Sequence, residues 1–172
     1  MANFELFKRI FGNSQERREK PRVNAREGTV VLIVDDSPTI VAMLRKFLQQ
    51  NGYQTLEAGD AEKGIEIARA HRPHLIFLDI VLPGMNGFAA LRTLRKDPVT
   101  LGIPIVMISG NEQATEQFYA QRIGADDFMK KPFSRNEVFV RIERLLDEDK
   151  VLRRHVAPGS AAAASAPRAS RN

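Results

Sequence analysis

The sequence predicts an α/β fold in which five parallel strands form one doubly wound sheet. Short apolar runs rich in β-branched residues alternate with longer segments of helical periodicity, an alternation typical of βαβ units. The predicted strands are almost continuously apolar, as expected of parallel strands buried on both faces. With 172 residues, of which 43% are hydrophobic, the chain is long enough to bury one core.

Five strands are predicted from the apolar runs. The first, third and fourth runs are the most apolar, whereas the fifth is short and is predicted mainly from its place in the alternation. The predicted strands are Thr29–Val34, Tyr53–Glu57, His74–Leu78, Ile103–Ile108 and Asp127–Met129.

Five helices are predicted between and after these strands. Ser37 and Asp60 are interpreted as the N-caps of the first two helices, since their side chains accept hydrogen bonds from first-turn amides. Gly84, Asn86 and Gly87 are interpreted as turn residues, with glycine supplying positive φ. The predicted helices are Pro38–Gln50, Asp60–His71, Gly87–Lys96, Glu112–Arg122 and Ser134–Leu146.

Charge and composition divide the chain into three predicted regions. Residues 1–28 carry a net charge of +3 and residues 150–172 one of +5, whereas residues 29–149, the predicted domain, carry −3. Sequence-independent phosphate binding requires a basic folded surface, so we expect no DNA binding by this domain. Residues 150–172 form a basic tail rich in Ala, Ser and Pro, and we expect the tail to be disordered.

Residues 1–11 are predicted to form a short amphipathic segment, and residues 12–28 a charged linker. Lys8 and Arg9 accompany the apolar residues, so the segment fits contact with a membrane surface or a partner's groove. A disordered start, or a helix folded onto its own domain, remains an alternative because so short a helix is marginal in water. The apolar residues are Phe4, Leu6, Phe7, Ile10 and Phe11.

The predicted compartment is the cytoplasm. The chain has no cysteine, which excludes disulfides, thiolate zinc sites and cysteine nucleophiles. No apolar run approaches the ~18 residues needed to span a bilayer, and the first residues lack the continuous apolar stretch of a secretion signal.

Three carboxylates follow predicted strands at one edge of the sheet. Asp35 and Asp36 come directly after the first strand, and Asp79 follows the third. Ligands of doubly wound sheets bind at the carboxyl ends of the strands. Like charges this close repel each other unless a cation lies among them, and oxygen-only ligands favour Mg²⁺. By itself, the Asp35–Asp36 pair is equally compatible with a turn cap.

A hydroxyl and an ammonium follow the fourth and fifth strands. Ser109 and Lys131 would lie beside the carboxylates, where a cation and a hydroxyl stabilise a phosphoryl group that a carboxylate attacks in line. Asp79 is the predicted nucleophile. The alternatives are that Ser109 only caps the following helix and that Lys131, beside Lys130, is surface charge.

Four motifs together resemble response-regulator receiver domains, over roughly residues 29–148: VLIVDDSPT, LIFLDIVLPGMNGF, IVMISG and GADDFMKKPF. The resemblance implies the flavodoxin-like receiver fold and a Mg²⁺ site completed by the backbone carbonyl of Val81. It makes Asp35 and Asp36 the acidic pair and Asp79 the phospho-acceptor. The remaining roles that it implies are the switch hydroxyl at Ser109, the switch aromatic at Phe128 and the conserved-type lysine at Lys131.

The resemblance also implies a cis Lys131–Pro132 peptide bond. Two positions depart from common versions of the pattern. Phe128 stands where tyrosine is frequent, so the switch would rely on ring packing without a phenolic hydrogen bond. Val81 offers no polar side chain to orient a water molecule, although Asn111 is a candidate for that role.

The resemblance predicts a signalling protein rather than an enzyme with a separate substrate. A histidine kinase would phosphorylate Asp79, and an effector protein would bind a changed face of the fourth helix, fifth strand and fifth helix. Only tail-like residues follow the predicted domain, so we expect protein contact rather than transcription control. VDDSPT and DIVLPGMNGF resemble regulators of type IV pilus or chemotaxis-like motility. The alternatives are a small-molecule phosphatase with an aspartate nucleophile and a phosphorylation-independent scaffold.

Overall fold

The computed structural model describes residues 26–110 and 114–154. The predicted amphipathic segment 1–11, nearly all of the linker, and the tail beyond Arg154 lie outside the described residues. Asn111 and the predicted start of the fourth helix at Glu112 also lie outside them.

Five strands form one fully parallel sheet in the order β2-β1-β3-β4-β5. The order turns back at β1, where the chain crosses from one half of the sheet to the other. This arrangement confirms the predicted doubly wound α/β fold. The strands are β1 (Val30–Val34), β2 (Gln54–Ala58), β3 (Leu75–Asp79), β4 (Ile105–Ser109) and β5 (Asp127–Lys130).

Five helices connect and follow the strands. Ser37 and Asp60 cap the first two helices as predicted, accepting hydrogen bonds from the amides of Ile40 and Lys63. Within the described part of the chain, no helix has the length and apolar character needed to span a bilayer. The helices are α1 (Pro38–Gln49), α2 (Ala61–His71), α3 (Gly87–Lys96), α4 (Ala114–Ile123) and α5 (Arg135–Arg144).

Four predicted strands, the second to the fifth, ended one residue too early, and two of the missed residues belong to the predicted site. Asp79 and Ser109 were expected just after their strands, but each is the last residue of its strand. Asp79 pairs in register with Ile108, and Ser109 with Lys130. Polar residues at a strand end resemble loop residues in the sequence, although their backbones still belong to the ladder.

The sheet buries one hydrophobic cluster on each face. The side chains of β1 alternate between the faces, with Leu32 and Val34 in one cluster and Val31 and Ile33 in the other. Buried residues of α2, α3 and α4 complete the first cluster, and those of α1 and α5 complete the second. The two layers of helices hold the carboxyl ends of the strands together at one edge.

Residues 150–154 fold back onto the domain, although the sequence placed the start of the tail at residue 150. Leu152 forms an antiparallel bridge with Leu146, and the amide of Arg153 donates to the carbonyl of Leu145 at 2.8 Å. Arg154 and Arg95 share the carboxylate of Asp126, at 2.9 and 2.7 Å. The folded part of the chain therefore extends at least to Arg154.

The loop after β3 ends at Gly87, whose close approach to the β3 backbone the sequence did not predict. Gly84 has positive φ, at 71°, as expected of a turn glycine, and Asn86 is the N-cap of α3. Gly87 begins α3, as the predicted helix Gly87–Lys96 required, and a Cβ there would lie 2.1 Å from the backbone oxygen of Asp79. Its amide donates to the carbonyl of Ile80 at 2.8 Å. Glycine is needed here for close backbone approach.

We expect Gly87→Ala to lower the free energy of unfolding by at least about 2 kcal/mol, because the added methyl group must displace the Asp79 backbone. Chemical denaturation measures the change. Gly102→Ala is the matched control, since a Cβ at Gly102 meets no atom within 4 Å. Equal stability of the two variants would contradict the proposed close approach.

Candidate functional site

Three carboxylates meet at the carboxyl ends of β1 and β3. Ligand atoms from Asp35, Asp36 and Asp79 all lie within 4.8 Å of one another. Asp35 and Asp79 are 1% and 3% exposed, whereas Asp36 is exposed. The structure therefore brings together the three carboxylates that the sequence predicted to be neighbours.

Asp35 is held in place by backbone contacts. Its amide donates to the carbonyl of Ala58 on β2 at 3.1 Å, and its Oδ1 accepts from the amide of Ser37 at 2.9 Å. Asp35 thus does cap the turn before α1, as the structural alternative required. The same contact fixes the carboxylate so that Oδ2 lies within the cluster.

Lys131 enters the cluster from the end of β5. Its Nζ donates a hydrogen bond to Asp79 Oδ2 at 3.0 Å. It also lies 2.7 Å from Asp35 Oδ2, with which it forms an ion pair whose angles do not meet those of a hydrogen bond. The amide of Lys131 donates to the carbonyl of Ser109 at 2.7 Å, and the Lys131–Pro132 bond is cis as predicted. Lys130 is exposed. The surface-charge alternative is therefore wrong for Lys131.

Burial and charge act in opposite directions on this pair. Burial raises the pKa of Asp79, the hydrogen bond from Lys131 lowers it and the charge of Asp35 raises it, so that the net shift is upward. Burial alone would lower the pKa of Lys131, but the carboxylates of Asp35 and Asp79 together raise it. One ammonium therefore compensates only part of the negative charge.

The donor set suits a hard divalent cation. Three carboxylates against one ammonium leave excess negative charge, and the candidate ligand atoms are all oxygens. Mg²⁺ is typically held by one or two carboxylates together with water and phosphate oxygens. The amide of Val81 donates to Asp79 Oδ1 at 3.4 Å, while its side chain is 69% exposed. The loop after β3 thus runs beside the carboxylates.

Ser109 contacts a residue that sequence reasoning missed. Ser109 is fully buried, and its Oγ donates to Oε2 of Glu116 on α4 at 2.5 Å. Glu116 was overlooked because an acidic residue in a helix's first turn is ordinarily explained by the helix dipole. The bond joins the end of β4 to α4.

Phe128, the predicted switch aromatic, is largely buried in the structure. The predicted role requires its ring to respond to phosphorylation. In the structure Phe128 is only 8% exposed and belongs to the cluster that α3 and α4 cover. Its role as the switch aromatic stays a prediction.

Comparison with known proteins gives concordant matches. The family model described as "Response regulator receiver domain" matches residues 31–143. "Protein PilH" of Pseudomonas aeruginosa is 38% identical over 116 residues, covering 67% of this chain and 96% of the relative.

Two further matches share the same region. The "Alkaline phosphatase synthesis transcriptional regulatory protein PhoP" of Bacillus subtilis is 34% identical over 70% of this chain, which spans only 50% of that regulator. Among solved structures, the Vibrio cholerae chemotaxis protein CheY4 superposes with a TM-score of 0.65 at 28% identity. That match covers 69% of this chain and 98% of CheY4.

We expect Asp79→Asn to stabilise the metal-free protein at pH 7. Because the folded-state pKa of Asp79 is raised, the native protein loses stability as pH rises from the ordinary value of 3.8 through the raised value. The advantage of the variant should therefore shrink as pH falls from the raised value toward 3.8, and it should be largely gone below 3.8. Urea denaturation in EDTA at several pH values measures the difference in free energy of unfolding between the variant and wild type.

Glu148→Gln, which neutralises an exposed carboxylate, is the control and should change stability little. A wild-type protein more stable than Asp79→Asn at pH 7 would show that Lys131 overcompensates for burial.

Proposed function

Because this chain belongs to the response-regulator receiver family, we propose that it accepts a phosphoryl group on Asp79 from a histidine kinase and signals by a changed protein-binding face. One observation carries the proposal. The buried Asp79 carboxylate lies 3.0 Å from the Lys131 ammonium and within 4.8 Å of Asp35 and Asp36. The protein is accordingly a signalling protein of two-component systems.

An Asp79 carboxylate oxygen attacks the phosphorus atom of the donor's phosphohistidine. The new O–P bond forms as the P–N bond breaks, and the electron pair of that bond stays on the imidazole, leaving an acyl phosphate on Asp79. As the phosphoryl group approaches, the Lys131 ammonium moves its contacts from the carboxylates to the negatively charged phosphoryl oxygens. Asp35, Asp36, Asp79 and the Val81 carbonyl would hold Mg²⁺, which when bound neutralises phosphoryl charge.

Phosphorylation would alter the contact between β4 and α4. Ser109 leaves Glu116 to donate its hydroxyl hydrogen to a phosphoryl oxygen. The carboxylate of Glu116 then loses that donor, and the position of α4 relative to Ser109 and Phe128 changes. An effector that reads the face of α4, β5 and α5 would distinguish the two states because its contacts with them differ.

The proposed pathway is motility of the type IV pilus or chemotaxis-like kind, with action by protein contact and without DNA. The proposal is supported by the sequences of the motifs VDDSPT and DIVLPGMNGF, by the match over 96% of PilH and by the structural similarity to a chemotaxis protein. The net charge of −3 over residues 29–149 also disfavours DNA as the partner. The cytoplasmic location, the three-region division of the chain and partner contact through residues 1–11 remain predictions.

The proposal is tested by intact mass after incubation with acetyl phosphate, with and without Mg²⁺. Wild type should gain one phosphoryl group only when Mg²⁺ is present, and Asp79→Asn should gain none. Folded wild-type protein that gains no mass would leave the scaffold alternative. Continuous turnover of small phosphate esters would favour the phosphatase alternative.

We expect Glu116→Ala to increase the rate of phosphorylation by acetyl phosphate about fivefold, because Ser109 no longer has to break a charge-assisted hydrogen bond. The rate is measured from the phosphorylated fraction over time. Gln117→Ala, which changes an exposed neighbour on α4, should react at the wild-type rate. A Glu116→Ala rate at or below that of Gln117→Ala would exclude a restraining role for Glu116.

A further inference from the structure

An open groove lies between α3 and α4, outside the carboxylate cluster. Phe88, Glu116, Phe118 and Tyr119 line it, and its volume is about 340 Å³. Phe118 is 62% exposed and Tyr119 is 42% exposed. Adjacent large aromatic side chains left in water commonly mark a site of protein interaction.

The groove is ordered by contacts between its own side chains. The rings of Phe88 and Tyr119 meet edge to face, with centroids 5.0 Å apart and an interplanar angle of 77°. Phe88 also packs partly against the buried cluster beneath it. The aromatic side chains are therefore already ordered before a ligand binds, so binding does not have to pay for ordering them.

Two guanidinium groups extend the groove. Arg92 lies over the ring of Tyr119 with its Cζ 5.3 Å from the centroid, and Arg122 lies over Phe118 at 5.8 Å. In the part of the chain that the structure describes, no carboxylate forms an ion pair with either one. Stacking holds both cations beside apolar rings, where they suit carboxylates carried by a ligand.

We propose that the α3–α4 groove binds an acidic amphipathic helix of a partner protein. Large apolar side chains of that helix pack against Phe118 and Tyr119, and its carboxylates pair with Arg92 and Arg122. An amphipathic helix in a hydrophobic groove is a recurring mode of peptide recognition, and aromatic residues with arginine commonly dominate such interfaces. The groove is lined by residues of α3 and α4, and its use does not require phosphorylation.

Charge favours this occupant over two others. The chain's own residues 1–11 carry Lys8 and Arg9 against Glu5. Their net charge is positive, like that of the two arginines beside the groove, so the two would repel each other. A second copy docked through the same groove would place the arginines of both copies close together, and like charges at an interface are unfavourable.

The test uses a fluorescein-labelled synthetic peptide helix of about 15 residues, with Leu or Phe at positions i, i+3, i+4 and i+7 and Glu on the flanks. Anisotropy titration with the full chain measures Kd. Phe118→Ser and Arg122→Glu should each weaken binding roughly tenfold. The matched control Lys46→Glu, on the exposed face of α1, should change Kd less than about twofold.

A peptide with Lys in place of each Glu should bind at least about tenfold more weakly. Asp79→Asn should bind like wild type, so failure of the phosphorylation proposal would leave this result unaffected. The proposal is overturned by three outcomes: no saturable binding below about 1 mM, equal binding by Phe118→Ser and wild type, or a doubled molar mass in the absence of peptide. Tenfold tighter binding by full-length Phe7→Ser would instead make residues 1–11 the occupant.

Discussion

Two buried carboxylates that share one ammonium are the constraint on which the rest of the site depends. Asp35 and Asp79 are almost fully removed from water, yet each lies within 3.0 Å of Lys131 Nζ. Buried charges are costly unless they are paired, so the protein must bring three distant parts of the chain to one point. The parallel sheet does this because β1, β3 and β5 all end at the same edge.

The surrounding backbone fixes the positions of these charged side chains. Lys131 is tied to β4 through the carbonyl of Ser109, and Asp79 ends β3 in register with Ile108. Gly87 lets α3 begin directly against the Asp79 backbone. Ser109, the predicted switch hydroxyl, donates to Glu116, so the acidic edge and α4 are connected through a side-chain hydrogen bond.

Hydrophobic periodicity was sufficient to predict the fold, because parallel strands buried on both faces leave nearly continuous apolar runs. The convergence of Asp35, Asp79 and Lys131 also followed, since the carboxyl ends of parallel strands must meet. The contact of Glu116 with Ser109 depends on the rotation and position of α4, and periodicity does not determine either. The same reason hid the close approach of Gly87 and the packing of Arg154, both of which depend on tertiary distances.

The binding of Arg154 to Asp126 determines where the remaining chain departs from the domain. Asp126 directly precedes β5, and Arg154 also donates to the carbonyl of Leu101, ahead of β4. Both contacts lie at the amino ends of the strands, separated from the carboxylates by a five-residue strand, or roughly 17 Å. A fluorophore or fusion partner inserted directly after Arg154 would begin at the amino ends of the strands, at the opposite edge of the sheet from the carboxylates. An attachment point directly after Arg154 would therefore leave the acidic edge accessible to a docking protein.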